Sequence, residues 1–418
     1  MTTPLLHRIR RVVVVASSPR GGSSLLAEHL RSCPDLVHLP GETPPLLTLA
    51  GLDPVQRNGS EVLTPEDAAA FSGPLAEQLA LELGNPSETW DPETLSTWLL
   101  RRLSMQWPDE EFPLDQVRRY MQSAASSTPP PSHADEFSGL VDFHLEFIAE
   151  VRKGHPSVNP YYYDIAASKV SGRFPDLPVP QGPPGSRLVE VPPFLIARPW
   201  RPAAPEDLER RTLVVKAPGC SYQIPFFQAL FPNAQVRVLH LTRAPGPSVN
   251  GLISAWHHRG FFSRRVSAEL SITGYSDAYP DWGTSWWNFD CPPGWTDMVK
   301  EPLAGVCAFQ WHSAHRAALQ EAQAGGHDVL RLRHEDFVGT PDQRRAATHA
   351  LGEWLDLPGS AIDALTRTTI GPVSAVTAPN ENRWLRKRDL IAPFLVSPEV
   401  HDVSAALGYD SIALKPTA

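Results

Sequence analysis

The chain has only four cysteines in 418 residues, Cys33, Cys220, Cys291 and Cys307. None stands in a C-x-x-C pair, which excludes the common zinc-ribbon and thioredoxin-like signatures and leaves no disulfide framework to read. They are expected to be reduced, structural thiols. Long apolar runs are missing as well: nothing approaches the ~20 residues of a membrane-spanning helix. The basic start at His7, Arg8, Arg10 and Arg11 leads into an apolar stretch too short for the core of a signal peptide. A cytoplasmic chain with no membrane span is expected. Positive charge is scarce: 37 Lys and Arg against 46 Asp and Glu leave a net charge of −9. That disfavours general nucleic-acid binding, which needs a dominant positive field, whereas a small anionic ligand needs only a local basic pocket.

What is abundant is proline, with 44 residues, roughly twice the usual ~5% share. Their spacing has no fixed period, so they predict long, stiffened loops rather than a repeat architecture. Hydrophobic content of 42% with 20% charged residues is that of an ordinary globular chain able to bury a full core.

Val12 to Leu30, VVVVASSPRGGSSLLAEHL, reads as a buried strand, a tight polar turn and a helix. A short strand is expected at 35–39, followed by the turn Pro40-Gly41-Glu42-Thr43-Pro44-Pro45. Regular alternation returns at 211–218 (strand), a helix through YQIPFFQALFP, a strand over 234–245 and a helix with Pro247 in its first turn. A long helix (GVCAFQWHSAHRAALQEAQ), a strand (DVLRLRHEDF) and a Thr-Pro-Asp-capped helix follow. Strands separated by helices give an α/β fold with a central, mostly parallel sheet flanked by helices and right-handed crossovers. Ligands of such sheets bind beyond the carboxyl ends of the strands. Residues 51–210 are less regular, with helical patches, a low-complexity loop at 125–132 and Pro-rich chain towards Pro205. They are expected to be a helical and irregular cap inserted into a single domain spanning 1–418.

The turn Pro19-Arg20-Gly21-Gly22-Ser23-Ser24 sets two glycines where the backbone can approach an anion, two serines at a helix mouth, and one fixed guanidinium. A Walker A loop would need G-x-x-x-x-G-K-[ST], and neither its lysine nor its spacing is here. A second basic residue, Arg243, ends the 234–245 strand just before another helix start. Two such turns on one sheet suit a ligand with phosphates at two separated places. At this point SSPRGGSSLLAEHL resembles the 5′-phosphosulfate loop of the PAPS-dependent sulfotransferases, in their bacterial-type small-molecule branch. FPNAQVRVLHLTRAPGPSVNGLISAW resembles their 3′-phosphate region, and LVVKAP and VLRLRHEDF are similar to further family segments. The resemblance covers about 11–45 and 211–360, and it implies a P-loop NTPase-like fold, PAPS as sulfuryl donor, PAP as product and no metal.

Residue by residue, the resemblance implies that Arg20 contacts the 5′-phosphosulfate and steadies the leaving phosphate, with Gly21, Gly22, Ser23 and Ser24 as donors around it. Arg243 falls on the 3′-phosphate arginine. The family's partner serine lies eight residues later, where this chain has Gly251. Ser248 is the preferred substitute, with Ser254 and Asn250 as further candidates. Family members also reach the 3′-phosphate with a C-terminal basic segment, for which Arg383, Arg386 and Lys387 around Trp384 are the counterparts.

Sulfuryl transfer is analogous to phosphoryl transfer, run by positioning and charge stabilisation, and it needs a base for the acceptor's proton. Glu42, beyond the second strand and close to the first turn, is the expected base, matching the Glu-x-Pro of several branches. His257, His258 and His312 are the alternatives. Lys216, at the end of its strand, points into the site or snorkels to the surface. Trp282, Trp286 and Trp287, in the loop YPDWGTSWWNFDCPPGW, are expected to wall an apolar acceptor site together with His257 and His312. The expected partner is a small-molecule acceptor, and the sequence sets no oligomeric state. The rival readings are a P-loop-like nucleotide-dependent kinase and a sulfotransferase-like PAP-binding protein without turnover.

Overall fold

Strand β1 (Arg11–Ala16) explains why the sheet lies where it does. Its four valines are all at most 1% exposed, and they divide between two cores. Val12, Val14 and Ala16 pack with Val37, Val215, Val238 and the apolar faces of helices Pro65–Glu82 and Ile224–Leu230. Val13 and Val15 pack on the other side with Leu26, Leu30, Leu239, Leu241 and Leu351. A strand covered on both faces reads as an unbroken apolar run rather than an alternating one, and each buried valine contributes about 1.5–3 kcal/mol of transfer free energy. The structure, a computed structural model, describes residues 4–87, 89, 91–130, 137–185, 187–258, 261–324, 326–368, 371 and 381–409.

The strands that follow are β2 (Leu36–His38), β3 (Gly84–Pro86), β4 (Trp200–Pro202), β5 (Thr212–Lys216), β6 (Gln235–Thr242), β7 (Arg264–Arg265), β8 (Trp286–Trp287) and β9 (Val329–Arg333). Seven of them form one sheet in the order β4-β3-β2-β5-β1-β6-β9, while β7 and β8 pair as a small antiparallel ladder. From β2 to β9 every neighbouring pair in the sheet is parallel. The expected mostly parallel α/β sheet is therefore present. Towards one edge it adds β3 and β4, each paired antiparallel to its neighbour, which the sequence reading does not contain.

Both strands come from the 51–210 insertion. Its helices Pro92–Gln106, Leu114–Ser127 and Phe137–Arg152 enclose a separate apolar cluster of Leu95, Leu99, Phe143, Phe147, Ile148 and Phe194. The 114–127 helix runs three residues into the stretch expected to be loop, and residues 131–132 of that loop lie outside the described residues. Below this cluster a buried ion network joins Arg101 and Arg102 to Glu82, and Arg102 to Glu190 at 3.2 Å. All four cysteines are buried and unpaired. No described helix is long and apolar enough to cross a membrane.

Candidate functional site

The carboxyl ends of all five parallel strands open onto one cleft of about 1090 Å³. β1 delivers Arg20, Gly22, Ser23 and Ser24; β2 delivers Glu42; β5 ends on Lys216; β6 is followed by Arg243; and β9 by His334 and Glu335. Parallel strands place their ligand groups at this edge because each crossover helix starts there, with its amide ends facing the cleft.

The first turn is built to leave backbone open. Arg20 and Gly22 both have positive φ, 61° and 100°, and Gly22 is the N-cap of helix Ser23–Arg31, with no capping side chain. The first amides of that helix therefore face the cleft with its positive dipole end behind them. Gly22 must be glycine for two reasons: its φ, and the His334 Nδ1 that a Cβ would meet at 2.3 Å. Arg20 lies 4.9 Å over the Phe261 ring. Its guanidinium is pulled down to about 10 by burial and by Arg243, against the opposing Asp164. It is still a full cation at neutral pH. Among the described residues its Nε has no partner, nor does the buried Ser18 Oγ.

Lys216 does not snorkel. It is 9% exposed, gives a hydrogen bond to Ser24 Oγ at 2.9 Å, and is ion-paired with Glu42. One ammonium thus ties the first turn to the carboxylate beyond β2.

The second turn repeats the pattern in sequence but not in structure. Helix Pro245–Trp256 begins Pro245-Gly246-Pro247, so Gly246 alone of its first three residues has an N–H. The amide of Ala244, its N-cap, is already taken by Glu335 Oε1 at 2.8 Å, and Glu335 is itself held by the Tyr409 hydroxyl at 2.9 Å. Any anion here is met mainly by side chains. Arg243 gives a hydrogen bond to the Arg20 carbonyl at 3.0 Å, and its own carbonyl accepts from Trp311 Nε1 at 3.0 Å. Trp384 packs on Gly246, where a Cβ would come within 2.9 Å of its ring, and so brings Arg383 to the cleft. Burial lowers the Arg243 guanidinium; Glu335 opposes that shift and Arg383 adds to it. Arg383 also depresses Arg20. An anion beside Arg20 and Arg243 would relieve the repulsion from their positive neighbours.

The cleft gathers Arg20, Gly22, Ser23, Ser24, Glu42, Arg243 and Arg383, and Gly21 sits beneath the turn, where a Cβ would strike Ser17 Oγ at 2.3 Å. Other candidates lie elsewhere. Ser248 is 0% exposed and faces the core, because Pro247, Asn250, Gly251 and Ser254 form the helical stripe on the cleft and Ser248 belongs to the next stripe with Leu252 and Ala255. Arg386 and Lys387 are exposed and off the cleft wall.

Trp286 and Trp287 are buried core, not a substrate wall. Trp287 packs edge-on to Trp256 and Trp295, and Trp286 joins the apolar cluster of the insertion. Trp282 stacks on Tyr279 at 4.4 Å and gives its Nε1–H to the Gln181 carbonyl at 2.9 Å, also away from the cleft. His257 is exposed with its Nδ1 at 3.2 Å from the Tyr279 hydroxyl, and His258 faces Phe261. His312 is buried in helix Leu303–Ala324 and pushed down to about 4 by burial and Arg316. None of the three lines the cleft.

Several ionisable cleft groups are absent from the sequence reading: His334, Glu335 and Asp164, together with Glu28, Arg31, Glu82, Arg102, Glu190 and Arg198. The first two sit in the quoted segment VLRLRHEDF, and the register Thr242↔Arg333 sets Arg243 and His334 side by side. The part of the cleft beside Glu42 is lined by Pro40, Pro44, Pro45, Pro192, Pro193 and Leu195, with Glu28 clamped by Arg198 and Arg31. Among the described residues no group of His, Cys, Asp and Glu is arranged to hold a metal ion.

No family model matches the chain, and no curated protein does. Several solved structures align with it, among them two sulfotransferase domains. One is a sulfotransferase domain from the curacin biosynthetic pathway, 13% identical, covering 96% of this chain and 99% of that one with a TM-score of 0.39. The other is a sulfotransferase domain from the Synechococcus PCC 7002 olefin synthase, 13% identical, covering 96% of each chain with a TM-score of 0.37.

Proposed function

We propose that this chain is a PAPS-dependent sulfotransferase that moves a sulfuryl group to a hydroxyl of a small-molecule or lipid-like acceptor and releases PAP. The observation that carries the reading is the meeting of two anion sites, Arg20 with the open first turn and Arg243 with Arg383, in one cleft with a paired Glu42 and Lys216 between strand ends. The unpaired buried Arg20 Nε and Ser18 Oγ fit a phosphorylated ligand, as does the glycine cradle at Gly22.

PAPS supplies the sulfuryl group: its sulfur–oxygen bond to the 5′-phosphate breaks as the bond to the acceptor oxygen forms. Arg20 and the amides of the first turn hold the charge that collects on the departing phosphate oxygen. Glu42 takes the acceptor's hydroxyl proton. It is held in place by Lys216, whose ammonium can give part of its hydrogen bonding to the same developing charge. Arg243 and Arg383 hold the 3′-phosphate and set donor identity. The Pro-lined arm beside Glu42 receives the acceptor, in place of the tryptophan loop. The reaction takes place in the cytoplasm.

Titration calorimetry with PAP, with 5′-AMP and ATP–magnesium as controls, tests this. Tight binding of PAP without metal and weak binding of both controls is expected. Preference for ATP–magnesium would replace the reading with a kinase. Gly251, which stands where the family has a serine, motivates one second reading, a PAP-binding chain without turnover. In that case Glu42→Gln would change nothing measurable.

A further inference from the structure

His334 has no role in the reaction as described, yet it is packed into the middle of the anion site. It follows β9 directly, as Arg243 follows β6, and the two strands run in register to their last residues. Its ring fills the space above Gly22 that a side chain would otherwise occupy. Its Nδ1 is buried and has no hydrogen-bond partner among the described residues, while the ring lines the cleft. A buried polar atom without a partner, between two basic turns, is a group waiting for a ligand.

The charge around it is lopsided in the same direction. Arg243 from the turn after β6, Arg20 from the turn after β1 and Arg383 from the C-terminal segment share the cleft with it, joined by Lys216. Against them stand Glu335, next to it in the chain, Glu42 and Asp164; the groups from the neighbouring helix start, Thr340 and Gln343, are neutral. Further along the same cleft Arg31, Arg102 and Arg198 are matched by Glu28, Glu82 and Glu190, so that seven cations less six carboxylates leave one net positive charge over the whole lining. A ligand with two phosphate monoesters carries roughly three to four negative charges at neutral pH. Among the cleft groups just named, His334 is the one able to supply another positive charge by taking up a proton.

We propose that His334 is a phosphate ligand of the donor site, neutral in the empty cleft and protonated when the donor binds, giving Nδ1–H to a phosphate oxygen held between Gly22 and Arg243. This rests on the PAPS reading above. In the empty cleft, burial and Arg243 push the imidazole down to about 3, so it is uncharged at any ordinary pH. A bound phosphate dianion reverses the sign of the local field, and the imidazolium becomes the favoured form. The proton comes from solvent. Linkage then requires donor affinity to rise as pH falls through the bound-state titration of this residue.

The test is PAP titration calorimetry on the full chain and on His334→Gln, from pH 6.5 to 8.5, in buffers of different ionisation enthalpy. The wild-type chain is expected to take up roughly 0.9 proton more per PAP than H334Q at pH 6.5, falling to about 0.1 at pH 8.5. Its affinity advantage is expected to be about tenfold at pH 6.5, shrinking towards pH 8.5. A second substitution, His334→Lys, should recover affinity with no extra proton uptake, since it brings a permanent charge; melting curves check that all three proteins are folded. Equal proton uptake and a pH-independent affinity ratio between the wild-type chain and H334Q would overturn the proposal while leaving PAP binding intact. Absence of PAP binding by the wild-type chain would overturn the donor reading and this proposal with it.

Discussion

The two basic turns of this molecule share one sequence pattern, strand, arginine, helix start, and they are built in opposite ways. After β1 the chain uses backbone: two residues at positive φ and an uncapped helix end leave amides facing the cleft. After β6 two prolines remove amides and Glu335 occupies the Ala244 N–H, so that what faces the cleft there is the side chains of Arg243, Arg383 and His334. Fixed backbone dipoles suit charge that appears only in the transition state, since they cost no reorganisation when it appears. Long cationic side chains suit charge that the ligand carries throughout, and they bind substrate and transition state alike. On the proposed reading the first turn serves turnover and the second serves affinity.

The largest expected effect belongs to neither turn but to the carboxylate between strand ends. Glu42→Gln should lower kcat by roughly two to four orders of magnitude, the range for a general base, with PAP affinity nearly unchanged by calorimetry; intact turnover would remove Glu42 from the reaction. Gly22→Ala comes next. It forces an L-residue into positive φ, about 1–2 kcal/mol, and drives a methyl into His334, which adds ~1–3 kcal/mol of overpacking. PAP affinity should fall roughly a hundredfold, with a lowered melting temperature in the same preparation.

The sharpest division is between Arg20→Ala and Arg243→Ala. Each removes a charge-assisted hydrogen bond of about 1.5–3 kcal/mol, or roughly ten- to a hundredfold, but the losses should differ in kind. Arg20→Ala should appear in kcat at saturating donor, and Arg243→Ala in the donor KM and PAP affinity. Equal losses in both parameters for both variants would dissolve the comparison. The smallest effect is a gain. At Gly251 a new Cβ meets only Arg20 Cβ, at an ordinary 3.6 Å, so Gly251→Ser fits and offers a hydroxyl to the second site. PAP should bind about two- to tenfold tighter, the worth of one neutral hydrogen bond; unchanged affinity would mean that this stripe of the helix does not reach the phosphate.

The parts of the fold legible in the sequence were those with doubly buried strands. β1, β5 and β6 are apolar runs closed by Gly, Pro or a basic residue, and their ends located Arg20, Lys216 and Arg243. β3 and β4 were invisible because Gly84-Asn85-Pro86 and Trp200-Arg201-Pro202 lack both apolar alternation and length. They exist because β2 offers an open edge. Ser248 was misjudged by one step of helical phase, which a spacing argument without a known buried face cannot fix. The tryptophan loop misled for a related reason. Composition marked it as apolar but not as facing inward, and Trp282, Trp286 and Trp287 became the seam between two cores. His334 had a findable signal: it is the residue after a strand end, as Arg243 is, on the neighbouring strand.

Strands β3 and β4 change what the insertion is. Because β3 bonds to β2 through His38↔Gly84, and β4 to β3, the cap is an extension of the same sheet that presents Glu42. On the proposed reading, exchanging acceptor preference by grafting another cap between residues 51 and 210 is therefore a problem of strand registry: a graft whose edge strand slips by one residue would turn the neighbouring side chains inside out and tilt that part of the cleft away from Glu42, however well its own pocket fitted the new molecule.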